Sequence, residues 1–237
     1  MTERHVISVA DGEGVVAVHH PAPSDAWFVC CHGFVSDKEG SYEERCERAV
    51  AEGYNAVRFD FRGCGESDGA FVDATLGSRI DDLRAVLAFF DPPSCVLFGS
   101  SFGAKTALHT AIGDDRIEAV ATRAPVTYNR TFDEARRLVE QEGEISYAPG
   151  YVIDARFFED LDRHPFSEVT NVLDVPVAIF HGSDDQTVPL SDSLDATGAL
   201  ATDVLLQTFA GEGHLFSASA ERRMRDQMFE WLARSRP

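Results

Sequence analysis

The stretch Gly99-Ser100-Ser101-Phe102-Gly103 constrains this chain's fold more tightly than any other. An apolar run at 95–98 precedes it, and a helix-like segment at 104–108 follows. In the frame G-x-S-x-G, Ser101 falls on a sharp strand-to-helix turn that lifts its hydroxyl clear and strains its own backbone. Glycine is required at 99 and 103 because a Cβ at either would crowd the helix against the strand. Five residues with three specified recur by chance in many chains, so the flanking strand and helix give the motif its weight. Ser100, the neighbouring hydroxyl, lacks glycine two residues to either side and is the weaker candidate.

Around that turn, apolar runs alternate with helical spacing. A hairpin is expected from 6–9 and 15–19 flanking Asp11-Gly12-Glu13-Gly14. Strands are expected at 26–31, 55–59, 95–98, 117–121, 175–180 and 204–209, and helices at 41–52, 78–90, 102–112, 190–200 and 218–233. Strands that read as continuous apolar runs between helices predict an α/β fold, with a mostly parallel sheet covered by helices on both faces. The 237 residues suit one domain. Between 126 and 170 the alternation lapses and aromatics, Tyr128 and Phe158 among them, sit amid charged residues. That is where a short lid insertion would lie. In such sheets ligands bind outside the carboxyl ends of the strands. His32, Asp60, Ser101, Asp185 and His214 all lie just past apolar runs, so they are expected at one site.

A serine hydroxyl needs a base to take its proton, and the base needs a third group to fix its tautomer. His181-Gly182-Ser183-Asp184-Asp185 follows one strand-like run, and Gly211-Glu212-Gly213-His214 follows the next. Ser101, then Asp184 or Asp185, then His214 is the order Ser…Asp…His. Two further segments, His32-Gly33-Phe34 and Asp60-Phe61-Arg62-Gly63-Cys64-Gly65-Glu66-Ser67-Asp68-Gly69, complete a set of ordered motifs. With them the chain resembles the α/β-hydrolase superfamily of serine hydrolases over nearly its whole length, most closely the cinnamoyl/feruloyl esterase-like branch.

The resemblance implies Ser101 as nucleophile, His214 as base and then acid, and Asp185, not Asp184, as the orienting carboxylate. It implies an oxyanion hole from the backbone N–H groups of Phe34 and Phe102. The implied activity is carboxylesterase-type cleavage of small acyl or aryl esters, without a cofactor or a metal, through an acyl-enzyme. Thioesterase, acyltransferase or small-peptidase action on the same residues is the nearest alternative. A non-enzymatic ligand-binding protein on the same fold is the alternative from another class. Pocket walls are expected from Phe34, Phe102, Val188 and Leu215, which border these positions, and from Tyr128 and Phe158 in the insertion. His32 and His181 are expected to brace loops, as are Asp60 and Arg62. The turn carries Ser100 and Phe102 where relatives often have histidine and a small or amide residue, a departure that bears on substrate preference.

Forty acidic residues face 21 basic ones, a formal net charge of -19, and only Lys38 and Lys105 are lysine. Such a balance argues against nucleic acid and anionic membranes as partners, because phosphate contacts need clustered positive charge. No apolar run of signal-peptide or membrane-spanning length occurs, so a cytoplasmic protein with a small-molecule ester substrate is expected. The five cysteines have apolar neighbours and no C-x-x-C spacing, the pattern of buried, reduced thiols. Acid-rich, lysine-poor composition resembles that of proteins from salt-accumulating halophiles. Its consequence is testable: the melting temperature should keep rising as KCl approaches 1 M, where the Debye length is only about 3 Å and simple screening is spent. A melting temperature flat or falling over that range contradicts the halophile reading.

Overall fold

The computed structural model describes residues 1–235. Its strands are β1 (Glu3–Ser8), β2 (Gly14–His20), β3 (Ala26–Cys31), β4 (Asn55–Phe59), β5 (Ser94–Ser100), β6 (Ile117–Arg123), β7 (Glu144–Ala148), β8 (Tyr151–Asp154), β9 (Val177–Gly182) and β10 (Val204–Phe209). Eight of them form one sheet in the order β1-β2-β4-β3-β5-β6-β9-β10, while β7 and β8 pair separately. β2 runs antiparallel to both its neighbours, as the hairpin signal requires, and every other pairing in the large sheet is parallel. This is the α/β-hydrolase architecture that the motifs imply.

The helices are α1 (Ser41–Ala51), α2 (Leu76–Phe90), α3 (Phe102–Ala111), α4 (Asp133–Glu142), α5 (Ala155–Leu161), α6 (Phe166–Val172), α7 (Leu190–Ala199) and α8 (Ala218–Ser235). The pleat of β3 shows how the two layers fill. Phe28 and Cys30 point into the layer under α1 and α8, with Cys46, Met224 and Phe229. Val29 and Cys31 point the other way, toward Leu83 of α2, Leu108 of α3 and Ala196 of α7. All five cysteines are buried and unpaired, and Cys30 and Cys31 lie on opposite faces. Across the α1/α8 layer, Glu221 accepts from buried Arg45 at 2.5 Å and also from Arg123 at the end of β6. Removing one member of such a buried set would strand the others' charge.

Of the structure's departures from the sequence expectation, three have a visible physical cause. α2 begins at Leu76, not 78, because the Thr75 hydroxyl caps it by accepting from the Ser78 N–H. β6 runs on to Arg123 because residues 122 and 123 pair with Gly99 and Ser100 of β5. The 126–170 stretch is not irregular: it holds a 3-10 turn at 129–132, α4, the β7–β8 hairpin and α5, and α6 continues to Val172. The hairpin gave no alternating apolar signal because most of β7 is exposed. Its turn is Pro149-Gly150, with Gly150 at φ +83°.

Two glycines set how closely α3 approaches the sheet. A Cβ on Gly103 would sit 2.3 Å from the carbonyl oxygens of both Cys31 and His32, and one on Gly99 would sit 2.4 Å from the Cα of Ala104. These are backbone contacts that no side-chain movement relieves. Gly103→Ala should therefore cost about 1–3 kcal/mol, the usual range for overpacking, measured by urea denaturation. A variant as stable as the parent would show that α3 has room to shift.

Candidate active site

Ser101 has φ 52° and ψ −119°, a strained conformation for a residue with a Cβ. Three backbone hydrogen bonds hold it there. Its N–H donates to the Arg123 carbonyl at 2.9 Å, and its own carbonyl accepts from Ala104 and Val126, both at 3.1 Å. Ser100 instead has its hydroxyl buried and unpartnered. Phe102 opens α3, so its N–H has no acceptor within the helix and lies at the positive end of the helix dipole.

The loop facing that helix start is fixed from beneath. His32 Nε2 accepts from the Phe61 N–H at 3.1 Å, which puts the ring proton on Nδ1, where it donates to the Gly33 carbonyl at 2.9 Å. Burial first, then the nearby Arg79 charge, lowers the basicity of His32 well below the usual range and keeps it neutral. Arg79 is itself fully buried, under the rings of Phe61 (4.7 Å) and Phe102 (5.3 Å), and also donates to the Gly33 carbonyl at 3.4 Å. Two donors on that carbonyl polarise the Gly33–Phe34 peptide and strengthen the Phe34 N–H as a donor. Among the described hydrogen bonds, the N–H groups of Phe34 and Phe102 both lack a partner. Val35, β-branched and at φ 48°, marks the same loop as strained.

His214 and Asp185 are brought together by another close approach. A Cβ on Gly182 at the end of β9 would lie 2.2 Å from the Glu212 carbonyl oxygen. Its absence lets the loop after β10 dock, with Asp184 N–H donating to Glu212 O at 2.9 Å. His214 Nδ1 then donates to Asp185 Oδ2 at 2.8 Å, leaving Nε2 free to take a proton. Asp184 faces solvent and its carboxylate, among the described hydrogen bonds, accepts only from Ser183 Oγ, so the carboxylate beside His214 is Asp185.

Asp185 Oδ1 accepts from the N–H groups of Thr187 (2.8 Å) and Val188 (2.9 Å), and His181 Nε2 lies 3.2 Å from Oδ2. Burial alone would raise this carboxyl, but the donors from His181, His214 and Val188 outweigh it and hold it well below the ordinary range. Among the described residues no hydrogen bond joins Ser101 to His214.

Ser101 opens into a cleft of about 310 Å³. Phe34 and Val188 form its inner wall, and Phe132, Leu138, Ile145 and Tyr147 of the 126–170 segment form the outer one. The other expected wall residues lie elsewhere. The Phe102 side chain is completely buried beneath the cleft, against Phe34, Phe132 and Phe157. Leu215 is 77% exposed and turned to solvent. Tyr128 packs edge-on to Phe166 with Arg130 over its ring, and Phe158 is buried between Phe157 and Arg136. Adjacency in sequence misled at Leu215, because a loop side chain next to His214 need not share its direction. Larger hollows exist, such as one of about 580 Å³ between α1 and α8, but paired ions such as Arg48 and Asp226 line it and no nucleophile does.

Residues 28–227 match the model of the Alpha/beta hydrolase family, and the chain belongs to that family. It is 28% identical over 190 residues to the human mitochondrial palmitoyl-protein thioesterase ABHD10, covering 73% of this chain and 61% of that protein. The chain thus spans about three fifths of the length of these curated relatives. Among solved structures it superposes on mouse Alpha/beta hydrolase domain-containing protein 10 with a TM-score of 0.84 at 20% identity, covering 98% of this chain and 99% of that one. It superposes equally on Est1E from Butyrivibrio proteoclasticus with ferulic acid bound, TM-score 0.84 at 20% identity, covering 97% and 99% of the two chains. At these identities the superpositions show a shared fold. None of the helices is long and apolar enough to cross a membrane, among the described residues.

The depressed Asp185 carboxyl carries a pH signature. A carboxyl lowered in the folded state stabilises above its unfolded value of about 3.9, and that stabilisation is lost as pH falls through the folded value. The stability gap between the parent and Asp185→Asn should therefore be full at pH 6 and shrink below pH 4, read from urea denaturation at each pH. An equal gap at both would show that Asp185 is not held as the ion.

Proposed function

We propose that the chain is a carboxylesterase-type serine hydrolase that cleaves small acyl or aryl esters through an acyl-enzyme intermediate. The observation that carries this reading is the His214–Asp185 hydrogen bond of 2.8 Å at the strand ends that also bear the strained Ser101 turn. Ser101 Oγ attacks the ester carbonyl as His214 Nε2 takes its proton, and Asp185 stabilises the imidazolium. The oxyanion gathers the N–H groups of Phe34 and Phe102, each donor of this kind worth about 10²–10³ in turnover. His214 returns the proton to the leaving alkoxide, then activates the water that releases the acid.

The substrate class rests on the cleft. At about 310 Å³ it is at the small end of ligand pockets, and its walls are mainly aromatic and aliphatic. The 126–170 insertion supplies the outer wall and serves as a lid. Five unpaired cysteines support a reducing, cytoplasmic setting. A thioester substrate is the second reading, favoured by the likeness to a protein whose name is palmitoyl-protein thioesterase.

A panel of p-nitrophenyl esters and matched thioesters, from acetyl to palmitoyl and including aryl acids, tests both readings. Short acyl and aryl oxygen esters should give the highest kcat/KM, and Ser101→Ala should lower turnover by about 10⁶. A preference for long-chain thioesters would replace the first reading with the second. Full turnover by Ser101→Ala would overturn both.

A further inference from the structure

His109 is buried to 97%, yet neither of its ring nitrogens has a hydrogen-bond partner. An imidazole taken out of water with both nitrogens unsatisfied is costly, and native interiors seldom leave one so. The groups it faces are ligand types. His109 Nδ1 lies 3.7 Å from Glu168 Oε2, and His164 Nδ1 lies 3.9 Å from the same oxygen. The three ligand atoms all lie within 4.8 Å of one another, and the two imidazole rings meet edge to face. We propose that His109, His164 and Glu168 form a zinc site that fastens α6 to α3.

The geometry is close to what the ion needs. Tetrahedral zinc with bonds of about 2.0–2.2 Å holds its ligand atoms roughly 3.4 Å apart. The two observed N···O separations must close by a few tenths of an ångström, and the His109–His164 pair, within 4.8 Å, closes by rotation of His164 and Glu168, whose side chains are part-exposed. Two imidazoles and one carboxylate are a zinc ligand set, with water completing the fourth position. One charge opposes a cation here: Lys105, one turn earlier on α3. Its Nζ is turned to the Thr127 carbonyl at 3.0 Å, and burial lowers its basicity. The site does not touch the cleft. It ties the last helix of the segment between β6 and β9 to the helix that follows Ser101.

The sequence hides such a site. His164 and Glu168 have a ligand spacing of four, but His109 comes from a different element 55 residues earlier. A second His–Glu cluster, Glu3, His5 and His19, lies on the edge hairpin and gives an internal control.

The test uses full-length protein stripped with chelator and titrated with zinc alone, followed by calorimetry and thermal melts, and with cobalt for its tetrahedral visible bands. One zinc per chain is expected, with a melting temperature raised on the order of 5 °C at a hundredfold excess over Kd. His164→Ala and Glu168→Gln should lose that binding and that shift while melting like the stripped parent without metal. His5→Ala should keep both. Zinc that binds undiminished in His164→Ala, or that is lost in His5→Ala, overturns the assignment, as does the absence of stoichiometric binding.

Discussion

The close approach of backbone to backbone at the sheet's carboxyl edge is the constraint on which the site depends. Gly99 and Gly103 let α3 sit against the ends of β5 and β3, and no other residue fits at Gly103 without meeting two carbonyl oxygens at 2.3 Å. That proximity leaves the chain too little room to pass from strand to helix in an ordinary conformation. The strain therefore falls on Ser101, whose positive φ points its hydroxyl into the cleft and leaves the Phe102 N–H unbonded at the helix start. Gly182 plays the matching part for the His214–Asp185 pair by admitting the loop that carries His214. Three missing side chains thus bring together groups that are 113 residues apart in the chain, from Ser101 to His214.

Electrostatics then divides the labour between the two halves of the site. On one side, neutral His32 and buried Arg79 both donate to the Gly33 carbonyl and brace the Phe34 peptide. On the other, four donors crowd Asp185 and keep it ionised despite burial. A carboxylate so fully engaged cannot readily take a proton from His214. In the proposed mechanism it orients the ring and stabilises it when charged.

Much of this was legible in the chain because the relevant signals are local. The strand-turn-helix around Ser101, the order Ser…Asp…His and the glycines all rest on short-range sterics. The parallel sheet followed from continuous apolar runs. The cleft was less legible because its outer wall is made by the insertion, where side chains converge from α4 and β7 that are mostly exposed. Phe34 and Val188 were readable from their neighbours, but Leu138, Ile145 and Tyr147 acquire their place only from the packing of α4 and the β7–β8 hairpin. Tyr128 and Phe158 show the converse, aromatics in the right segment that serve packing. Arg79 was invisible for another reason: an arginine at helical spacing reads as a surface charge, and only the tertiary structure buries it under two phenyl rings.

The account's central claim is that one strained serine is the nucleophile. Incubation with a fluorophosphonate, followed by peptide mass mapping, tests it most directly. The account predicts a single phosphonyl adduct, on Ser101, formed more slowly when a hydrolysable ester competes. An unlabelled protein, or an adduct on Ser100, would contradict it.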